Sequence, residues 1–344
     1  MTERERNDVA VIGAGPAGLA TAVSAAGALK TTVVDAYGAG GSAPATPVIN
    51  SYPGFMDGVS GADLTRRIYE QAQRLGASFA LTDPAVGLST HAAEHTVTLA
   101  DGATISSSVL VIATGVAYRT LGVPSVDKLT GAGVTYADSV AEPAALAGQE
   151  VFIVGSTAAA AQAALDLAKH ASSVTMVVRA GSLDASVPAG LAKEVDRTRN
   201  IRVRVNTQVV EGFGEGRLEG VRVRHRVSGT IEAVRTRALL IMMGADPNTE
   251  WLKGSVLRDD AGYLMTGTEL WRNGRWPAEW PAEWPAERAP LLLETSVPRV
   301  FAAGDVRRGA VRRVTAAILE GMLAIMLARQ VLREPAQSTV GAAS

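Results

Sequence analysis

Apolar residues gather in short runs that stop at glycine, and stretches of small residues follow them. The first run, Val9–Ile12 in "DVAVIGAGPAGLATAVSAAGALKTTVVDAYG", predicts a buried strand, a glycine turn, a small-residue helix and a second strand over Thr32–Val34. "VFIVGSTAAAAQAALDLAKH", residues 151–170, repeats the arrangement with a turn that begins at Gly155 and an alanine-rich helix. A further strand follows in "SVTMVVRAGSL", and "VLVIATG" predicts another that stops at Gly115. Near the end, "VPRVFAAGDVRRGAVRRVTAAILEGMLAIMLARQVL" pairs a short strand with Gly304-Asp305 and a long helix beginning near Arg313. Its stripe of Ile318, Met322, Ile325 and Met326 is expected in the core. A different pattern marks the middle: Arg202, Arg204, Arg222, Arg224 and Arg226 alternate along predicted strands, the sign of one solvated sheet face.

The first unit carries phosphate chemistry. Gly13 permits the tight turn, Gly15 lets the backbone approach a pyrophosphate, and Gly18 lets helix and strand pack closely. The phosphates would rest against the positive end of the helix. Asp35 can accept hydrogen bonds from ribose hydroxyls and would repel a 2′-phosphate. Strand, turn, helix, strand and acid in that order say far more than a lone G-x-G-x-x-G. Gly304-Asp305, just ahead of a helix start, suits a flavin nucleotide: the carboxylate can bind a ribityl hydroxyl while helix amides face the pyrimidine edge. In the middle unit the fingerprint is degraded. Thr157 and Ala160 stand where the second and third glycines would be; Thr157 stiffens the turn and crowds a phosphate, whereas Ala160 is harmless.

Composition narrows the chemistry. The 344 residues suffice for two domains with proper cores, and a hydrophobic content of 47% with 19% charged residues describes an ordinary globular chain. A net charge of −1 offers no field for nucleic acid or an acidic membrane surface. No unbroken apolar run reaches the ~18 residues of a membrane span. The polar "MTERERND" leads straight into a strand, so no secretory signal is expected and the expected location is cytoplasmic. There is no cysteine, which excludes disulfides, thiolate nucleophiles and Cys-ligated metal. Of the four histidines, His91 and His95 share a four-residue spacing, but "STHAAEHTVTL" reads as a hairpin edge with solvated histidines, and no metal site is expected.

Together, "VAVIGAGPAGLATA", "YPGFMDGVSGADL", "LVIATG", "MMGADPNTEWL" and "LETSVPRVFAAGDVRRGAVRRVTAA" give the chain a resemblance, over nearly its whole length, to the low-molecular-weight thioredoxin reductase family of flavoproteins. Within that family it resembles in particular the thioredoxin-reductase-like branch found in actinobacteria. The resemblance implies an α/β fold of two Rossmann-like, doubly wound domains: a discontinuous FAD domain (1–116 and 246–335) with an inserted pyridine-nucleotide-type domain (117–245), and a tail over 336–344. It implies that Gly13, Gly15, Pro16, Ala17 and Gly18 cradle the FAD pyrophosphate and that Asp35 holds the adenosine ribose. Gly40, Gly41 and Ser42 would line the flavin, with Asn50 near the isoalloxazine and Thr114 and Gly115 packed on the cofactor. Gly304 and Asp305 would meet the ribityl and pyrophosphate region, with Arg313, Val314 and Thr315 beside the pyrimidine ring. It also implies a homodimer.

Two departures matter. The resemblance places Ala137 and Val140 of "GVTYADSVAEP" at the two positions of the Cys-x-x-Cys pair, so the chain is not expected to be a self-contained thioredoxin reductase. At the NAD(P)H turn, Gly155, Thr157 and Ala158 with the single Arg179 leave NAD(P)H binding open. The expectation is an FAD-dependent oxidoreductase in which hydride moves between a small molecule, or NAD(P)H, and flavin N5. Tyr136 and Asp138, in the segment replacing the dithiol, are the candidates for substrate contact or proton transfer. The alternatives are an NADPH-dependent ferredoxin-type reductase, with the arginine face meeting an acidic electron-carrier protein, and a non-catalytic flavin-binding partner protein. The tetrad Trp-Pro-Ala-Glu, three times over in "RWPAEWPAEWPAERAP", forbids regular helix and reads as an extended surface loop, or as a flap bearing Trp276, Trp280 and Trp284.

Overall fold

The structure is a computed structural model that describes residues 6–81, 83–91, 94–137, 140, 143–183, 186–270 and 288–333. Asp138, the tetrad loop and the 336–344 tail lie outside the described residues. The chain divides into two compact units, Met1–Val116 with Pro247–Ser344, and Ala117–Asp246.

In the first unit β1 (Asn7–Ile12), α1 (Pro16–Ala25) and β2 (Thr31–Val34) form the strand–helix–strand step, followed by α2 (Gly61–Arg74) and β3 (Ser78–Ala80). β1 is buried on both faces except at Asp8, as a central parallel strand requires, and it pairs in parallel with β2. Ser60 caps α2 by accepting from the Asp63 amide at 3.0 Å, which starts the helix where the apolar pattern begins. Then come the hairpin β4 (Ala85–His91) and β5 (Glu94–Leu99), and the long β6 (Thr104–Ile112). β6 pairs in parallel with β1 along one edge. Its first half pairs antiparallel with β5 on the other edge.

The chain then enters the second unit through β7 (Val116–Tyr118), the short helix α3 (Pro124–Asp127) and β8 (Val134–Tyr136). β9 (Glu150–Val154), α4 (Ala158–Ala168), β10 (Ser173–Val177), α5 (Ala189–Arg197) and β11 (Ile201–Arg204) repeat the winding. An antiparallel ribbon of β12 (Thr207–Phe213), β13 (Gly220–His225) and β14 (Ile231–Arg235) precedes β15 (Ala238–Ile241). The parallel sheet runs β11-β10-β9-β15-β8, and β16 (Ala245–Pro247) returns beside β7. The first unit closes with β17 (Val300–Ala302), parallel to the second half of β6, and α6 (Val314–Arg333). Both units are therefore doubly wound α/β bodies built on parallel sheets.

α6 is long and apolar enough to cross a bilayer by length and composition. Here it packs on α1: a Cβ on Gly321 would lie 2.1 Å from the Ala17 carbonyl, and the Thr21 hydroxyl bonds both Ala17 and Gly321 carbonyls. The expected core stripe of α6 is only half buried. Ile318 and Ile325 lie inside, while Met322 is 46% and Met326 64% exposed. The helix turns about 100° per residue, so the two methionines face away from the α1 contact, beside exposed Leu319.

His95 corrects a second expectation. The hairpin forms, with His95 opposite Thr90, but His95 is 1% exposed rather than solvated. Alternation along β5 points His95, Val97 and Leu99 inward, so one step of register separates it from the solvated face. His91 is exposed. Among the described residues no group of three His, Cys, Asp or Glu could hold a metal ion.

Candidate functional site

The turn after β1 is built around a positive φ. Gly13 has φ +108°, its amide donates to the Val34 carbonyl at 2.7 Å, and a Cβ there would lie 2.3 Å from the Ala113 carbonyl oxygen. Only glycine satisfies both demands. The same Cβ position lies 2.9 Å from the Thr114 amide nitrogen, so the ends of β1 and β6 meet at this point. Asp35 shapes the turn from the end of β2: one carboxylate oxygen accepts from the Ala14 amide at 2.7 Å, the other from the amides of Tyr37 and Gly38.

Gly15 has a different reason to be glycine. Its backbone is ordinary (φ −74°, ψ −176°), and a Cβ would meet nothing closer than the Gly41 Cα at 3.8 Å. The polypeptide has room for a side chain there, so the missing methyl serves something outside the chain. It leaves open the N-terminal end of α1, which has Pro16 in its first turn and no side-chain cap. Gly41, at φ +59°, closes the wall: its Cβ would come within 2.9 Å of the Gly15 Cα, and the Gly40 amide bonds the Ala14 carbonyl at 2.8 Å. Ser42 is exposed and leads into a short turn over Ala43–Ala45.

The C-terminal segment meets the same wall. A Cβ on Gly304 would lie 3.1 Å from Ala17 Cβ of α1 and 3.6 Å from Ala317 Cβ in the first turns of α6. Glu320 holds this corner, accepting from the Gly304 amide at 2.7 Å and pairing with Arg307 at 2.6 Å. Asp305 is half-buried, and burial, then the Glu320 charge, pushes its carboxyl up to about 6. Arg313 is exposed just ahead of α6, with Val314 and Thr315 in its first turn. Thr114 is locked to Asn248 by two bonds, Oγ1 to the Asn248 carbonyl at 2.9 Å and Asn248 Nδ2 to the Thr114 carbonyl at 2.8 Å. Gly115 follows at φ +61° in open space. Asn50 lies in the loop bounded by the Ile49–Val59 bridge, its Oδ1 over Gly58.

The inserted unit repeats the first half of this design and alters the second. Gly155 (φ +153°) does the work of Gly13, since its Cβ would lie 2.3 Å from the Met242 carbonyl oxygen. Thr157, however, is the N-cap of α4. Its hydroxyl accepts from the Ala160 amide at 3.1 Å and reaches the Met242 carbonyl at 3.4 Å. A helix end that is open at α1 is occupied here by the protein's own hydroxyl. Ala158 opens the helix, and exposed Arg179 follows β10. Arg179 is not solitary in the fold: Arg226 lies alongside and donates to its carbonyl at 2.9 Å. The two lie 47 positions apart in sequence, so no local signal could have shown it.

Tyr136 is engaged within the inserted unit. Its hydroxyl donates to Asp127 and accepts from the Leu121 amide at 3.2 Å. Burial, then the bond to Asp127, pushes the phenol up to about 12, which holds its proton in place. Ala137 donates its amide to the Ile241 carbonyl at 3.1 Å, and Val140 packs against the inserted unit's core. The alternating arginines are partly spent on neighbours: Arg204 pairs with Glu232 and Arg222 with Glu211.

A glycine at position 15 that the chain itself does not require, an uncapped helix end behind it, a carboxylate following β2, and Gly304-Asp305, with Gly304 set against α1 and the first turns of α6, form a site that fits FAD. Fold and site define an FAD-dependent oxidoreductase. A family model described as pyridine nucleotide-disulphide oxidoreductase matches residues 7–275, and the chain belongs to that family. It is 31% identical over 333 residues to a thioredoxin reductase of Streptomyces clavuligerus (96% of this chain, 95% of the relative). It is 30% identical over 335 residues to a thioredoxin reductase of Mycolicibacterium smegmatis (97% and 99%). The crystal structure of thioredoxin reductase from Streptococcus pyogenes MGAS5005 superposes with a TM-score of 0.82 at 26% identity, covering 95% of this chain and 98% of that one.

Proposed function

We propose that the protein is a dithiol-free flavin oxidoreductase: hydride passes between a small-molecule substrate, or NAD(P)H, and flavin N5, and electrons leave for an external acceptor without a sulfur relay. One observation carries the reading: an open, glycine-lined cradle at α1 stands in a chain whose sequence has no cysteine, with Ala137 and Val140 where the resemblance puts the reactive pair. Bound FAD supplies the hydride and electron chemistry. The chain's residues supply the rest. Gly13–Gly18 receive the pyrophosphate, Asp35 the adenosine ribose, and Asp305 a ribityl hydroxyl, while Gly40, Gly41, Ser42 and Asn50 line the flavin and Thr114 and Gly115 pack on it. Arg313, Val314 and Thr315 present the start of α6 to the pyrimidine edge.

NADPH is the weaker substrate of this design. Arg179 with Arg226 can take a 2′-phosphate, but the Thr157 hydroxyl already satisfies an amide that a pyrophosphate would use. Tyr136, held by Asp127 and Leu121, positions the end of the strand that leads into the segment replacing the dithiol, and Asp138 remains the candidate for proton transfer. The protein is expected to act in the cytoplasm as a homodimer, and the exposed Leu319, Met322 and Met326 of α6 support an association face.

The test is anaerobic stopped-flow mixing of the yellow protein with NADPH and NADH separately. Slow bleaching by both is expected, together with no thioredoxin reduction. Rapid bleaching by NADPH would replace this reading by the ferredoxin-type reductase. A colourless protein that takes up no FAD would remove it altogether.

A further inference from the structure

A cavity of about 650 Å³ opens in the inserted unit where β9 and β15 begin, at the opposite end of those strands from Gly155. Arg217, Arg235 and Arg237 line it, with Glu150, Glu219 and Thr236. Its walls are fixed by backbone. The β13–β14 register sets Gly220 opposite Arg235, the Thr236 amide bonds the Glu219 carbonyl at 3.2 Å, and the Thr236 hydroxyl bonds the Glu150 carbonyl at 2.9 Å. Leu218, beside Arg217, donates to the Ala132 carbonyl at 2.7 Å. The three arginines thus project from neighbouring, tied segments rather than from a loose loop.

They differ in surroundings from the arginines of the neighbouring strands β11 and β13. Arg204 and Arg222 pair with glutamates, and Arg224 faces Gln208. Among the described residues, Arg217, Arg235 and Arg237 bond to no acceptor, although Glu150 and Glu219 line the same cavity. Three arginines lining one space, with no carboxylate bonded to any of them, supply the donors that planar recognition of phosphate uses. The volume falls in the range of small-molecule sites, roughly 300–1,000 Å³. The two carboxylates can accept only hydrogen-bond donors, such as sugar hydroxyls.

We propose that this cavity is a second ligand site, distinct from the FAD cradle and from the α4 turn, for a diphosphate carrying a hydroxylated group. The arginines take the phosphates; Glu150 and Glu219 take the hydroxyls. The site stands whether or not NADPH reduces the flavin, because it shares no residue with Gly155, Thr157 or Arg179.

Isothermal titration of the FAD-loaded protein with inorganic pyrophosphate, ADP and orthophosphate tests it. One pyrophosphate per chain is expected, ADP tighter than pyrophosphate, and orthophosphate weaker than both. Replacing a charged hydrogen-bonding partner weakens binding by about 10- to 100-fold, so R235Q or R237Q should each show a loss of that order for pyrophosphate. The surface position of these side chains predicts an unchanged circular dichroism spectrum and FAD content in R217Q/R235Q/R237Q. Absence of pyrophosphate binding in the wild-type protein overturns the proposal, as does equal affinity in the triple variant, which would place the anion elsewhere. ADP no tighter than pyrophosphate overturns the role given to Glu150 and Glu219.

Discussion

A methyl group at position 15 separates what the chain needs from what its cofactor needs. The polypeptide leaves 3.8 Å to the nearest heavy atom there, so Gly15→Ala should fold with a Tm within about 2 °C of the wild-type apoprotein, an ordinary-φ glycine being freely replaceable. The same variant should be purified with little FAD, read from its absorbance ratio. Glu294 is the opposite case, a carboxylate with no exposure that accepts from both Arg288 nitrogens and from the Leu291 and Arg299 amides. Glu294→Ala removes a buried acceptor from a part-buried guanidinium and from two backbone amides, and should lower stability by about 3 kcal/mol in denaturant titration. His95 predicts a pH dependence. Burial, then the Arg299 charge, lowers its ring from 6.5 to about 4, and neither ring nitrogen has a partner. The unfolded chain therefore binds more protons than the folded one between those values, and stability falls as pH drops through that window. At about 1.4 kcal/mol per pH unit the loss is about 3 kcal/mol, and His95→Phe should abolish that part of the acid limb. Asp305, raised to about 6, works with the opposite sign: the folded state keeps its proton longer, so this group alone makes stability fall as pH rises from 3.8 towards 6.

Between elements, the two helix starts invite direct comparison. Thr157→Ala should cost about 1 kcal/mol by removing the α4 cap, whereas glycine at a cap position costs only a few tenths. Thr157→Gly should also open the turn and speed anaerobic flavin reduction by NADPH; no acceleration would show that the cap is not what limits the nucleotide. These contrasts also show how far the sequence could be read. The glycine pattern at β1–α1 is local: Gly13 and Gly18 answer contacts one strand or a few positions away, and Gly15 stands between them in a fixed spacing, so that this turn was legible. Thr157 was legible as an obstacle; its capping role depends on an amide three residues on that becomes available only once the helix exists. His95 was misread because strand alternation turns on a single step of register. Arg226 beside Arg179, and the trio Arg217, Arg235 and Arg237, are assembled from separate strands, and no local window contains them.

For the molecule as a whole, the missing thiols set the chemistry. Alkylating reagents should leave turnover with the external electron acceptor unchanged, an outcome that a dithiol relay downstream of the flavin would not allow. The strand order has a consequence for how the protein comes into being. β6 is completed by residue 112, yet the β17 partner that fills the second half of its free edge, residues 300–302, emerges after the entire inserted unit. On the ribosome the inserted unit can finish while the first sheet still waits with an unsealed flank, the situation in which nascent chains aggregate. Synthesis halted before residue 290 should therefore yield a soluble middle body and an N-terminal portion with no lasting shape of its own. The flavin pocket would be the last part of the molecule to be born.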